Sequence, residues 1–126
     1  YSDEWQRDHL INPRSAVPGS IMPGYPHLSQ TELDFRHVEV NLKVQSLLGT
    51  PYSTEMIENA KADIKAQATP DDEGADALAK RYPKVNARDF DGDPKKITEA
   101  DALIAYLQVI GTLVDFKLYD NKANVR

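Results

Sequence analysis

Met22 is the side chain whose surroundings point most directly to chemistry. It sits in Pro18-Gly19-Ser20-Ile21-Met22-Pro23-Gly24-Tyr25-Pro26. A thioether is a soft, neutral donor; on haem iron such a donor favours the ferrous state and raises the potential, which suits an electron carrier. It turns about three bonds, so it must be aimed. Pro18, Gly19, Pro23 and Gly24 restrict the backbone on either side of it. Filling a hydrophobic gap is the plainer role still open to Met22 at this point. Met56 lies within a helical pattern and reads as packing.

Other candidates are weaker. His9, His27 and His37 share no His-x-x-x-His spacing and read as surface or hydrogen-bonded histidines. Asp89, Asp91, Gly92 and Asp93 suggest a calcium loop only faintly. The glycine comes too early, and position 12 counted from Asp89 is Ala100 where an EF-hand needs Glu. An acidic turn is the simpler reading. There is no Gly-x-Ser-x-Gly. The absence of cysteine excludes disulfides, thiolate metal sites and cysteine nucleophiles.

The chain that must position Met22 has 126 residues, 40% hydrophobic and 28% charged, enough for one domain with a modest core. Its net charge of −5, with no basic cluster, argues against nucleic acid. No apolar run is long enough to span a bilayer, so these residues are expected to make no membrane contact. No leader peptide is visible in the polar start Tyr1-Ser2-Asp3-Glu4-Trp5.

Periodicity and caps predict helices. The first covers 2–11, with Ser2 as cap and Pro13 as stop. Four prolines make 12–30 a stiff loop. A helix is expected at 31–48, from Thr31 and Asp34 to Gly49, although the alternation of Val38, Val40, Leu42 and Val44 also fits a strand. Another is expected at 53–68, capped by Ser53 and stapled by Tyr52 and Ile57. A fourth runs from Thr69-Pro70-Asp71-Asp72 to Tyr82. Residues 84–97 read as a polar loop. The last helix opens on Thr98 and Asp101, with Ala100, Leu103, Leu107, Ile110 and Val114 as its stripe.

The Met22 loop is similar to the Asn-Pro…Pro-Gly-Thr-x-Met pattern of class I cytochromes c, with Asn12-Pro13 and Pro18-Gly19-Ser20-Ile21-Met22. Longer blocks resemble the monohaem subunit II of cbb3-type cytochrome c oxidases. These are Tyr1–Trp5, Asp8–Ser15 and Met22–Pro26 at one end, and Arg88–Asp93 and Thr98–Phe116 at the other. They bracket nearly the whole chain.

The resemblance implies a mainly α, cytochrome c-like helical domain, truncated at its N-terminus and carrying a long helical insertion. Residues 1–126 are then one C-terminal part: helix and methionine-ligand loop at 1–30, insertion at 31–97, C-terminal helix at 98–116 and tail at 117–126. Met22 matches the distal haem iron ligand, the only metal ligand assigned. By nearness in sequence, Trp5, Ile11, Pro13 and Tyr25 are expected to wall the haem pocket, with the face of the last helix.

The parent subunit would be membrane-anchored upstream, lie on the periplasmic side of the bacterial inner membrane and carry haem c. It would relay electrons to the haem–copper catalytic subunit that reduces oxygen, beside the other cytochrome subunits. The family's Cys-x-x-Cys-His motif has no match here, so this chain alone is expected to hold no haem and to be inactive. The last helix would then be partly bare and could be covered in a homodimer. The alternative, from a different class, is a haem-free helical module that docks to a partner protein.

Overall fold

Helix α1 spans Asp3–Ile11 in the computed structural model, which describes residues 1–69 and 73–113. Ser2 caps it by accepting the Trp5 N–H at 3.1 Å, and Asp3 and Glu4 stand at the positive end of its dipole. Asn12 leaves helical geometry (φ −143°, ψ 88°) because the Pro13 ring excludes the α region from the residue before it. The segment 12–30 is less uniformly loop than expected. Pro13 opens a short helix, α2 (Pro13–Ala16), and Pro26 opens a 3₁₀ turn, Pro26–Ser29. Proline's fixed φ and missing N–H suit a first helical position.

The helix expected at 31–48 is shorter: α3 spans Val38–Leu47. The Thr31 hydroxyl donates instead to the His27 carbonyl at 2.9 Å, and the Asp34 carboxylate receives the backbone N–H and guanidinium of Arg36. With both cap residues engaged elsewhere, Glu32 pairs with Thr98 in an isolated antiparallel bridge. The Leu33 N–H donates to Ile97 O at 2.9 Å and the Glu99 N–H to Thr31 O at 3.0 Å. Gly49, at φ +102°, supplies the expected stop.

The helix expected at 53–68 divides at Asn59 (φ −97°, ψ 5°) into α4 (Thr54–Glu58) and α5 (Ala60–Ala68). The Asn59 side-chain amide donates to the Glu55 carbonyl at 2.9 Å, the local competition by which asparagine interrupts a helix. Ser53 caps α4 as predicted, accepting the Met56 N–H at 3.2 Å. Helix α6 is Ala75–Arg81. It does not start at Thr69, because Thr69 ends α5; Pro70, Asp71 and Asp72 lie outside the described residues. Helix α7 is Glu99–Ile110, with Thr98 and Asp101 exchanging both cap bonds. It is followed by Gly111, short of the expected 116; Val114 and the tail lie outside the described residues. The described residues thus hold seven α-helices, one 3₁₀ turn and no strand, the mainly α class the sequence implied.

Helices α1, α2 and α7 pack together with the 3₁₀ turn, and α3 to α6 pack with one another. Between the groups lies a cleft of about 660 Å³, lined by Leu42, Met56, Ile64 and Leu78 on one side and Ala105 and Val109 of α7 on the other. In its wall Arg81 pairs with Asp63 through both guanidinium and carboxylate edges, which is how a buried charge is tolerated.

Leu10, Phe90 and Ile104 form the core beneath the Met22 loop. Two carboxylates fix their elements. Asp101 accepts the N–H groups of Phe90 (3.2 Å), Asp91 (3.0 Å) and Thr98 (2.9 Å). Asp3 accepts Arg88 Nη2 at 2.9 Å and Gln108 Nε2 at 2.7 Å, tying α1 to the 84–97 loop and to α7.

Two outcomes follow from these contacts. Asp101→Ala strands three buried N–H groups at roughly 1–3 kcal/mol each. Urea denaturation should therefore show a loss of at least about 3 kcal/mol, beyond the ~1 kcal/mol of an ordinary cap. The Arg88 guanidinium, hydrogen-bonded to Asp3, holds that carboxyl below its usual value. Its contribution is complete above the unfolded value near 3.9 and is lost as pH falls through the lower folded value. Thermal melts from pH 7 to pH 2 should show Asp3→Asn less stable than the parent at pH 7, with the gap closing below pH 4.

Candidate functional site

The geometry around Met22 is built from short-range contacts. Helix α1 delivers Leu10 and Ile11; Pro13, buried, starts the turn that carries Arg14. Val17 ends that turn, its N–H bonded to Pro13 O at 2.9 Å, and the Ser20 N–H bonds back to Val17 O at 2.9 Å. The Ser20 hydroxyl accepts the Met22 N–H at 3.2 Å, and Arg14 Nε reaches the Ser20 carbonyl at 3.4 Å. Past Met22, the Tyr25 N–H donates to Leu10 O at 2.7 Å.

Gly24 lies against the end of α1. A Cβ there would stand 2.6 Å from Ile11 O and 3.8 Å from Pro13 Cδ. The loop therefore returns onto the helix it left, and only glycine permits the approach.

Met22 is half-buried. It packs against the Leu10, Phe90 and Ile104 cluster, as do Leu28 and Leu103. Beside it in sequence, Ile11, Val17 and Tyr25 keep 39%, 44% and 36% of their surface exposed. Ligating a haem iron calls for a soft neutral donor on a fixed backbone with apolar surface around it. Met22 and its neighbours have that chemistry, so the residues present would fit one protein ligand of such a group.

The other expected residues fall into two places. Pro13 and Tyr25 belong to the loop framework itself. Trp5 is stacked along α1 between Tyr1, at 4.1 Å, and His9, at 4.6 Å. His27 stands edge-on to Tyr25, with centroids 6.1 Å apart. Leu103, on the face of the last helix expected to wall the pocket, does pack on the cluster; the residues that sequence reasoning missed are Arg14 and Leu28, and the hydrogen-bonding part of Ser20. A serine two places before a loop methionine was the available signal for the last.

The second acidic group, Asp89, Asp91 and Asp101, brings three carboxylate oxygens within 4.8 Å of one another. These groups hold the turn together. The Asp89 carboxylate accepts the Gly92 N–H at 2.9 Å, and that of Asp91 accepts the Asp93 N–H at 2.8 Å and the Thr98 hydroxyl. Gly92, at φ +85°, makes the bend possible.

No helix among the described residues is long and apolar enough to cross a membrane. With no cysteine, these residues cannot form thioether bonds to a haem. A comparison with curated proteins finds no match. The family model described as cytochrome c oxidase, mono-heme subunit/FixO, matches residues 1–114. With the match covering almost the whole chain, Met22 loop and α7 included, the chain belongs to the mono-haem FixO family of cytochrome c oxidase subunits, which serve electron transfer.

Proposed function

We propose that this chain presents Met22 as the distal ligand of haem c iron in a cbb3-type oxidase, relaying electrons on the periplasmic side toward the haem–copper catalytic subunit. The observation that carries the reading is the doubly anchored loop, bonded through Ser20 before Met22 and through Tyr25 after it. The two cysteines and proximal histidine of such a centre would come from outside these 126 residues. The described residues are then part of one domain: 1–30 forms the ligand platform, 31–97 the helical insertion, and α7 the closing helix.

Haem, when bound, supplies the one-electron ferric–ferrous couple. This chain's residues supply the rest. Met22 offers a neutral sulfur, which favours the ferrous form. Leu10, Leu28 and Leu103 keep that sulfur's surroundings apolar. Gly24 and Tyr25 hold the backbone to α1, so the ligand stays in place when the charge on the metal changes.

A second reading, protein docking without haem, draws on two exposed apolar strips. Val40, Val44, Leu47 and Leu48 line the outside of α3, 49–81% exposed, and Tyr106, Val109, Ile110 and Leu113 line and follow the end of α7, 41–75% exposed. Strips of this kind favour association, with another oxidase subunit or with a second copy.

Four results are expected. Purified alone, the chain should show no Soret band and bind added haemin only nonspecifically. In the haem-bearing subunit, Met22→Ala should abolish the low-spin methionine-ligated spectrum and lower the potential; an unchanged spectrum would refute the assignment. Gly24→Ala sets a Cβ against the Ile11 carbonyl oxygen, an overpacking of roughly 1–3 kcal/mol, and should lower the denaturant concentration at which methionine coordination is lost. Light scattering after size exclusion should find the isolated chain dimeric at high concentration; a strict monomer would count against a self-association face.

A further inference from the structure

Two apolar neighbours compete for one inward place in the loop. Ile21 is 98% exposed, while Met22 beside it is half-buried on the Leu10, Phe90 and Ile104 cluster. By burial alone the order should reverse: isoleucine gains more than the polarisable, flexible methionine when it leaves water. The cluster itself does not discriminate, since its surface is aliphatic and aromatic. Burial therefore does not set the register of this stretch, which polar contacts anchor on both sides: the Tyr25 N–H on Leu10 O at 2.7 Å after Met22, and one contact before it.

The contact at hand is the Ser20 hydroxyl. It accepts the Met22 N–H at 3.2 Å, so the two-residue span between Ser20 and Met22 is closed into a turn. Ser20 is itself held to α2, its N–H on Val17 O at 2.9 Å and its carbonyl near Arg14 Nε at 3.4 Å. The residues on either side cannot substitute. Pro23 has no N–H to donate, and Ile21 packs on nothing.

The geometry points to Ser20 as a positioning residue that selects Met22 over Ile21 for the inward face of the loop. Its importance for function rests on the reading of Met22 as a ligand, but the register itself can be measured without haem. With the hydroxyl present, the sulfur is presented from the cluster. With it absent, the loop can roll by one residue, burying Ile21 and releasing Met22 to solvent.

The experiment is peroxide oxidation of the haem-free chain, followed by mass spectrometry, with Met56 of α4 as the reference in the same molecule. Ser20→Thr and Ser20→Val differ in the hydroxyl and little else. Met22 should oxidise about five-fold faster in the valine variant than in the threonine variant, the weight of one typical hydrogen bond, with Met56 unchanged. Ile21→Ser removes the competitor and should return Met22 in the Ser20→Val background to the rate of the threonine variant. Equal rates in the two variants overturn the inference, as does a rise that Ile21→Ser fails to reverse.

The haem-bearing subunit then separates this inference from the ligand reading. If Met22→Ala removes methionine coordination and Ser20→Val lowers the pH at which that coordination is lost, both stand. If Met22→Ala leaves the spectrum unchanged while the oxidation result holds, Ser20 sets the register of a packing methionine and the ligand reading falls. If only the oxidation result fails, the ligand reading stands and Ser20 does not position it.

Discussion

A buried carboxylate surrounded by backbone N–H groups does two jobs at once at Asp101. It caps α7 through Thr98, and it draws the 84–97 loop onto that helix by accepting the N–H groups of Phe90 and Asp91. Asp101 is 4% exposed. Burial pushes its carboxyl above the ordinary value, while the N–H groups of Thr98 and Asp91 pull it back. An acceptor of this kind has no ready replacement, because each donor it serves would otherwise be left unpaired away from water. Phe90 is the residue that gains: with its backbone fixed, its ring can join Leu10 and Ile104 as the floor on which Met22 packs. The cap of one helix thus also sets the base of the candidate site, some eighty residues away in sequence.

The same arrangement explains how the two helix groups share α7. The first turns of α7 are closed off, with Ala100 and Ile104 at 1% and 0% exposed. Farther along, Ala105 and Val109 face the cleft against α3 to α6. Its outer surface ends in the exposed residues Tyr106, Ile110 and Leu113. A helix with apolar residues on more than one side has more than one surface to cover, and the described residues cover only part of what α7 offers. Helix α3 is similar: Val38 and Leu42 face the cleft, while Val40 and Val44 face out. For a chain belonging to a family of oxidase subunits, such uncovered strips are where neighbouring protein surface would be most effective.

The sequence was most legible where a local rule met no competitor. Ser2, Ser53 and Thr98 cap the helices they were expected to cap, because each has a free side chain and an apolar stripe after it. It was least legible where a cap residue found a better partner outside the helix. Thr31 bonded backward to His27 and Asp34 forward to Arg36, which moved the start of α3 to Val38. Asn59 split a continuous pattern by bonding to Glu55. The Met22 loop was legible in kind, from its prolines, glycines and methionine. The reason Gly24 must be glycine was not, because the obstructing atom is the carbonyl of Ile11, thirteen residues earlier. Trp5 shows the converse: nearness in sequence suggested the Met22 pocket, and the helix instead stacked its ring between Tyr1 and His9.

The contacts that hold Met22 are short in range, although about seventy residues separate its loop from α7. Among the described residues, the bonds that hold the Met22 loop come from Leu10, Arg14, Val17, Ser20 and Tyr25, and Gly24 allows the loop to close against Ile11. Loops closed over so few residues lose little entropy on closing, and prolines within them lower that loss further. The insertion reaches the site through the floor at Phe90, whose N–H is held by Asp101 of α7, while the same stretch is tied to α5 by the Arg88 N–H on Gln67 O at 2.8 Å. A methionine whose direction is set by its own loop, on a floor fixed by a buried carboxylate of α7, thus takes its position from two short stretches at opposite ends of the chain.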